Sequence, residues 1–259
     1  MPDLDALRII LLSLLPGTFW LVYLRSLSGG KVPPWWQWVL ALLAGWGSTE
    51  LTLLLSDTLK VDALHAVPYV GGWLLYFVVG VGLVEEAAKA VCALVALKLP
   101  GFAKRPMFAL QLSGGVALGF ATAENVLYAT NYGQGVLVGR FVFATLGHVL
   151  FSSLWGFKLG QGRDFLSYLL LAAAGHGLYD WFLMTGRPVL AILTLVVLWV
   201  GFREAALGAY LRQLYRRELP FPLQACQHCG VLTRSEANYC SFCGERIGVE
   251  GEPGGSLSR

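Results

Sequence analysis

Hydrophobic positions along the chain gather into long runs separated by short polar breaks, without the period-two alternation that marks half-buried strands. Seven runs have membrane length: residues 6–24, 35–55, 68–97, 108–131, 135–157, 166–185 and 188–211. A helix crossing the hydrocarbon needs about 20 apolar residues, so the pattern predicts an all-α fold, a polytopic bundle of seven spans. The run 68–97 is longer than an upright span requires, and it must tilt, extend past the bilayer or break near Gly80 and Gly82. Met1-Pro2-Asp3-Leu4-Asp5 lacks the basic start of a signal peptide, and the first run is read as a retained span. Beyond 211 the chain turns polar. Pro220 and Pro222 mark a linker, a cysteine module follows, and the Gly- and Ser-containing tail reads as disordered. The expected organisation is a membrane domain 1–217, a linker 218–225, a module 226–247 and a tail 248–259.

Composition sharpens this picture. Of 259 residues 56% are hydrophobic and only 14% charged, against about 25% charged in soluble domains, which excludes a soluble globule. The net charge of +3 is not gathered into a basic stripe with interleaved aromatics, so no nucleic-acid partner is expected. The basic residues instead orient the chain. With the N-terminus outside, the inner loops hold Arg25 and Lys31, then Lys98, Lys104 and Arg105, then Lys158 and Arg163, with Arg203, Arg212, Arg216 and Arg217 following the last span. The outer side holds Arg8, Lys60 and Arg187, with Arg140 inside the start of a span. Positive charge prefers the cytoplasm, and adding or removing one span would invert half of these loops. The sequence therefore predicts a multi-pass cell-membrane protein with its C-terminus in the cytoplasm. Small residues four apart, Gly115 with Gly119 and Gly156 with Gly160, allow close helix approach.

Four of the five cysteines form two knuckles, Cys226-Gln-His-Cys229-Gly230 and Cys240-Ser-Phe-Cys243-Gly244. Each turn aims two thiolates at one point while its glycine takes the left-handed conformation, so the four can close a tetrahedral zinc site. Two disulfides are the rival reading, disfavoured in a reducing cytoplasm; a rubredoxin-like iron centre is compatible with the spacing. His228 reads as a surface residue. With four sulfur ligands no coordination position stays open, so the zinc is structural. The ribbon should need its metal to fold, and it is suited to docking a cytoplasmic protein.

Ionisable residues also stand inside predicted spans: Glu85, Glu86 and Lys89 in the third, Glu124 with Asn125 in the fourth, His148 in the fifth, His176 with Asp180 in the sixth. A charge at the bilayer centre costs roughly 2.5–3.5 kcal/mol on insertion scales, so such a cluster must be paired or hydrated and marks function. At about 1.5 Å rise per residue, counted from the cytoplasmic ends, Glu85 lies ~18 Å deep, Glu124 ~24 Å, His148 ~15 Å, His176 ~15 Å and Asp180 ~21 Å. Four consecutive helices thus bring polar groups to one level, favouring a single cavity. Glu85 with Lys89, His148 with Ser152 and His176 with Asp180 are i,i+4 pairs on common faces. Adjacent Glu85 and Glu86 point about 100° apart, so one is expected to do chemistry while the other pairs with Lys89 or a neighbouring helix. A carboxylate here can serve as general base for hydrolysis, a histidine can polarise a carbonyl or hold the water, and Asn125 can donate to a developing oxyanion.

Glu85-Glu86-Ala-Ala-Lys89, Phe120-Ala-Thr-Ala-Glu124-Asn125, His148 in His-Val-Leu-Phe-Ser152 and His176-Gly-Leu-Tyr-Asp180 resemble, in order, the four motifs of the PrsW-type intramembrane proteases, relatives of the CAAX prenyl proteases. The resemblance spans about residues 70–185. It implies a membrane endopeptidase acting on membrane-associated proteins, anti-sigma factors among them, with Glu85 and Glu86 as essential carboxylates. Glu124 and His148 would complete the site, and His176 and Asp180 would support it. Asp180 stands where relatives often carry Asn. The motif H-E-x-x-H is absent, so a catalytic zinc would draw its ligands from different helices. Both a second zinc and metal-free activation of water by glutamate fit these residues; the metal-free form is the expectation.

Two other classes fit parts of the sequence. A proton-coupled transporter would concentrate the same groups, but the repeated halves that favour one are missing. A scaffold recruiting partners through the ribbon leaves the buried cluster without purpose. Outside the cluster, Glu50 and Arg140 read as interfacial side chains that snorkel, Asp62 and His65 as solvated loop residues, and Cys92 as packing.

Overall fold

A computed structural model describes residues 2–27, 33–65, 70–99, 102, 106–162, 164–218, 223–234, 237–240 and 243–247. The chain divides into two compact units, Met1–Tyr210 and Leu211–Arg259.

Within the described residues, all seven apolar runs are helical. They form α1 (Pro2–Ser26), α2 (Trp35–Thr58), a continuous helix made of α4 (Val70–Leu75), a π-helical stretch Tyr76–Leu83 and α5 (Val84–Ala96), then α6 (Pro106–Tyr132). A second composite helix joins α7 (Val136–Gly139), a π-helical stretch Arg140–Ala144 and α8 (Thr145–Gln161), followed by α9 (Phe165–Met184) and α10 (Pro188–Glu218). The expected outer loop between the second and third runs holds a one-turn helix, α3 (Asp62–His65). The expected break near Gly80 and Gly82 is a widening: the helix continues with π-type turns around both glycines.

Among the described residues, five helices are long and apolar enough to cross a membrane: 4–26, 35–58, 106–132, 136–161 and 188–208. The composite helix 70–96 and α9 fall outside that group, and they carry Glu85, Glu86 and Lys89, and His176 and Asp180. Burial separates centre from periphery. In α6, 89% of the most apolar window is buried, against 22% to 28% in α1, α2 and α10, so α6 is the axis of the bundle and the others turn wide apolar faces outward. Helix α6 packs on α8, α2 and α1, while α9 packs on Tyr76–Leu83 and α8.

Missing side chains set these approaches. A Cβ on Gly82 would strike the carbonyl oxygen of Ala173 and stand 2.8 Å from the Gly177 nitrogen, and one on Gly177 would strike the Phe77 carbonyl. This double contact seats α9 directly on the π-helical stretch, one turn from Glu85. Helix α10 docks through bulk instead: Trp199 stacks on Tyr23 at 5.4 Å and lies edge-on to Trp20 at 6.1 Å.

In the second unit, β1 (Leu223–Ala225) pairs antiparallel with β2 (Leu232–Arg234) in the register Leu223↔Arg234, Gln224↔Thr233, Ala225↔Leu232. The linker prolines and the tail 248–259 lie outside the described residues.

Candidate active site

The membrane-depth residues converge. Glu85, Glu86 and Lys89 occupy the first turns of α5, just past the π-helical stretch. Lys89 is fully buried and its ammonium lies between the two carboxylates, donating to Glu86 Oε1 at 2.8 Å and Glu85 Oε2 at 3.3 Å. Adjacent glutamates expected to diverge are thus tied to one cation at i+3 and i+4. The Lys89 ammonium also lies 3.1 Å from His148 Nδ1 and 4.0 Å from the centre of the Phe120 ring.

Glu86 is saturated. Ser152 Oγ and Trp155 Nε1 donate to its Oε2 at 2.8 and 2.9 Å, and His176 Nδ1 lies 3.2 Å from its Oε1. Glu85 is less enclosed, with Oε2 3.7 Å from His176 Nε2 and 4.0 Å from His148 Nδ1. The imidazoles meet edge to face at 5.0 Å, and His176 stacks on Phe151 at 4.9 Å. Asp180 stands one turn along α9, its Oδ2 3.5 Å from His176 Nε2; with a quarter of its side chain accessible it lies toward the mouth.

Glu124 approaches from α6. Its Oε2 is 2.8 Å from His148 Nε2 and accepts from Arg140 Nη2 at 2.7 Å. Asn125 is fully buried and already engaged: its oxygen accepts from Arg140 Nε at 2.7 Å and its amide donates to Thr145 Oγ1 at 3.3 Å. The structure thus gives Asn125 a hold on Arg140 and Thr145, a contact the expected oxyanion role did not include.

Arg140, read from sequence as a snorkelling cation, belongs to this cluster, and its guanidinium also covers the Tyr128 ring at 4.0 Å. One spacing carried a signal: Tyr128, whose ring covers Arg140, follows Glu124 by four residues on one face of α6. Glu50 is exposed on α2, away from the cluster.

This donor set fits a metal ion. Glu85, His148 and His176 each bring one ligand atom within 4.8 Å of the others, close to the roughly 3.4 Å separations of a tetrahedral ion with 2.0–2.1 Å bonds. Each imidazole has its other nitrogen against a carboxylate, Glu124 for His148 and Glu86 for His176, the outer-shell arrangement that fixes a ligating histidine.

The cysteine cluster is complete and local. Cys226, Cys229, Cys240 and Cys243 are free thiols whose sulfurs lie within 4.8 Å of one another. The Cys226–Cys243 and Cys229–Cys240 sulfurs are 3.7 Å apart, far from a disulfide bond and close to the ~3.8 Å edge of a tetrahedron with 2.3 Å metal–sulfur bonds. Gly230 and Gly244 both have φ of 73° and donate to the carbonyls of Cys226 and Cys240 at 2.8 and 2.9 Å, closing two matching knuckles. His228 is exposed. The four cysteines can hold a metal ion.

Comparison with known proteins agrees with the geometry. Among curated proteins, the chain is 32% identical over 144 residues to Protease PrsW of Shouchella clausii, covering 51% of this chain and 65% of that protein. It is 31% identical over 110 residues to Protease PrsW of Geobacillus kaustophilus, covering 38% of this chain and 49% of that one. With Protease PrsW of Clostridioides difficile it shares 28% over 222 residues, 76% of this chain and 87% of that protein. The chain thus spans less than two thirds of the first two relatives. No solved structure matches it. A family model described as PrsW family intramembrane metalloprotease matches residues 33–203, a description that runs against the metal-free expectation. That match covers both composite helices, α6 and α9, the elements that build the buried cluster, and on it the chain belongs to the PrsW family of intramembrane metalloproteases.

Proposed function

We propose that the protein is an intramembrane endopeptidase hydrolysing peptide bonds of membrane-embedded protein substrates. One observation carries this reading: Glu85, His148 and His176, from three helices, present ligand atoms to a common point, with each imidazole backed by a carboxylate. These three residues would hold a divalent ion, zinc by donor type, through Glu85 Oε2, His148 Nδ1 and His176 Nε2. Such an ion lowers the pKa of water and polarises a carbonyl.

The chain's own groups do the rest. Glu86, bonded by four donors, fixes His176 and holds Lys89, and does not exchange protons with substrate. Glu85 keeps Oε1 for the attacking water: it takes a proton as oxygen bonds to the scissile carbonyl carbon, and returns one to the amide nitrogen as the C–N bond breaks. Glu124 holds His148 through Nε2. Asp180, at the mouth, steadies His176 beside the substrate. Residues 1–217 form the protease domain, with N-terminus outside and C-terminus cytoplasmic, as the loop charges favour. The ribbon 226–247 carries structural Zn²⁺, for which the 3.7 Å sulfur separations speak, and docks a cytoplasmic protein.

The test is co-reconstitution in liposomes with labelled single-span proteins. Wild type should cleave, and Glu85→Gln should lose about 10²–10⁴-fold. Equal cleavage by the two would overturn the reading. In a variant with all four ribbon cysteines changed to serine, chelation should abolish cleavage and Zn²⁺ restore it; cleavage indifferent to chelator would remove the metal from the site.

A further inference from the structure

Arg140 lies outside the four motifs, yet it makes two short contacts to residues of one of them. Two nitrogens of one guanidinium grip two successive residues of α6: Nη2 donates to Glu124 Oε2 and Nε to Asn125 Oδ1, both at 2.7 Å. The ring of Tyr128, one turn further along α6, covers the same group at 4.0 Å. The Asn125 amide is anchored in turn on Thr145, the first residue of α8. Two donors of one planar guanidinium thus hold the Glu124 carboxylate and the Asn125 amide in fixed relation, which the single ammonium of a lysine does not match.

Backbone geometry serves this grip. Arg140 opens the π-helical stretch Arg140–Ala144, and His148 follows eight residues later. In an unbroken α-helix eight residues turn by about 800°, leaving the two side chains some 80° apart. The wider π turn rotates less per residue and swings them toward one face. There they share an acceptor, because Glu124 Oε2 meets both Arg140 Nη2 and His148 Nε2.

We propose that Arg140 is the positioning residue of the catalytic centre: by clamping Glu124 beside Asn125 it fixes the oxygen that holds His148 Nε2, and so sets the orientation in which the imidazole turns Nδ1 toward Lys89 and Glu85. Arg140 touches neither substrate nor ligand atoms; it acts through Glu124. The consequence for turnover rests on the protease reading, whereas the consequence for His148 does not.

The full-length protein allows both to be tested. Outer-shell partners of this kind are worth about 10–100-fold. Arg140→Gln should therefore lower kcat at least tenfold while KM stays within threefold, and in a Glu124→Gln background the same change should cost less than threefold. Arg140→Lys, which keeps the charge and loses the fork, should fall between. Independently, the chain has only four histidines, so ¹⁵N-histidine NMR of the protein in lipid resolves them. Arg140→Gln should shift the His148 Nε2 resonance, whose partner Glu124 is released, and leave those of His176 unchanged. A kcat within threefold of wild type, an equal loss in the Glu124→Gln background, or an unchanged His148 spectrum would each overturn the assignment. Should wild type and Glu85→Gln prove equally inactive, the protease reading fails, and the spectrum still decides for or against Arg140.

Discussion

The two clusters of metal-ligand type are built in opposite ways. The membrane cluster draws on residues from Glu85 to Asp180 carried by four helical elements, and its side chains meet because glycine contacts, an apolar axis in α6 and two π-helical stretches bring the helices together. The cysteine cluster takes four ligands from residues 226 to 243, held by a three-residue strand pair and a few backbone hydrogen bonds. In the first, the scaffold makes the site; in the second, the site makes the scaffold. Polar groups in the bundle pair with one another, so it can stand as a folded unit before any ion arrives. The short strand pair of the cysteine unit offers no comparable network, and a metal bound by its four cysteines would contribute directly to its folding.

The largest effect should therefore appear at the ribbon. Cys240, buried and one of the four cysteines that can hold a metal ion, would leave a site one thiolate short when changed to serine. Structural zinc contributes about 10–16 kcal/mol in comparable modules, so Cys240→Ser should unfold residues 223–247. Limited proteolysis would show new cleavage in that segment, with helical circular dichroism unchanged. A protease-resistant ribbon in the variant would erase the contrast drawn here.

Lys89→Met is the matching change in the bundle. It leaves fully buried Glu86 without its cation and Glu85 without its tether, and breaking a buried pair on one side costs about 3–5 kcal/mol. The detergent-solubilised protein should unfold at a clearly lower temperature. An unchanged midpoint would mean that the bundle, like the ribbon, takes its order from an ion.

What the sequence made legible follows the same division. The clustering of all four cysteines was readable because Cys-x-x-Cys-Gly is a local pattern whose geometry each knuckle sets alone. The seven helices were readable from apolar run length, and matched depth placed Glu85, Glu86, Glu124, His148, His176 and Asp180 at one level. Rotation about each helix was not readable. Arg140 looked like an interfacial cation because its partners, Glu124 and Asn125, sit on another helix, and no spacing within its own span points at them. Asn125 looked free to donate for the same reason. The π-helical stretches escaped as well: Gly80 and Gly82 announced a weak point, and whether it would break or widen depended on α9 packing against it.

That packing supplies a smaller, steric test. Gly82→Val would press a branched side chain into the Ala173 carbonyl and the Gly177 backbone. Forced overpacking costs about 1–3 kcal/mol, and the strain falls where α9 carries His176 toward Glu85. A modest drop in thermal midpoint should accompany a larger loss of cleavage. Loss of stability with cleavage preserved would show that the site tolerates a displaced α9, against the rigid construction argued here.

The smallest effect is expected at Glu50, and it tests whether carboxylates matter by presence or by place. Glu50 shares its residue type with Glu85, Glu86 and Glu124 and stands within a predicted span, but on α2 it is exposed and meets none of the cluster's cations. Exposed substitutions away from packed features change stability by about 0.5 kcal/mol or less. Glu50→Gln should match wild type in thermal midpoint and in cleavage rate, where Glu85→Gln loses orders of magnitude. A tenfold loss of cleavage with an unchanged midpoint would place Glu50 on the path of the substrate, and the boundary drawn here around the active cluster would have to widen to include α2.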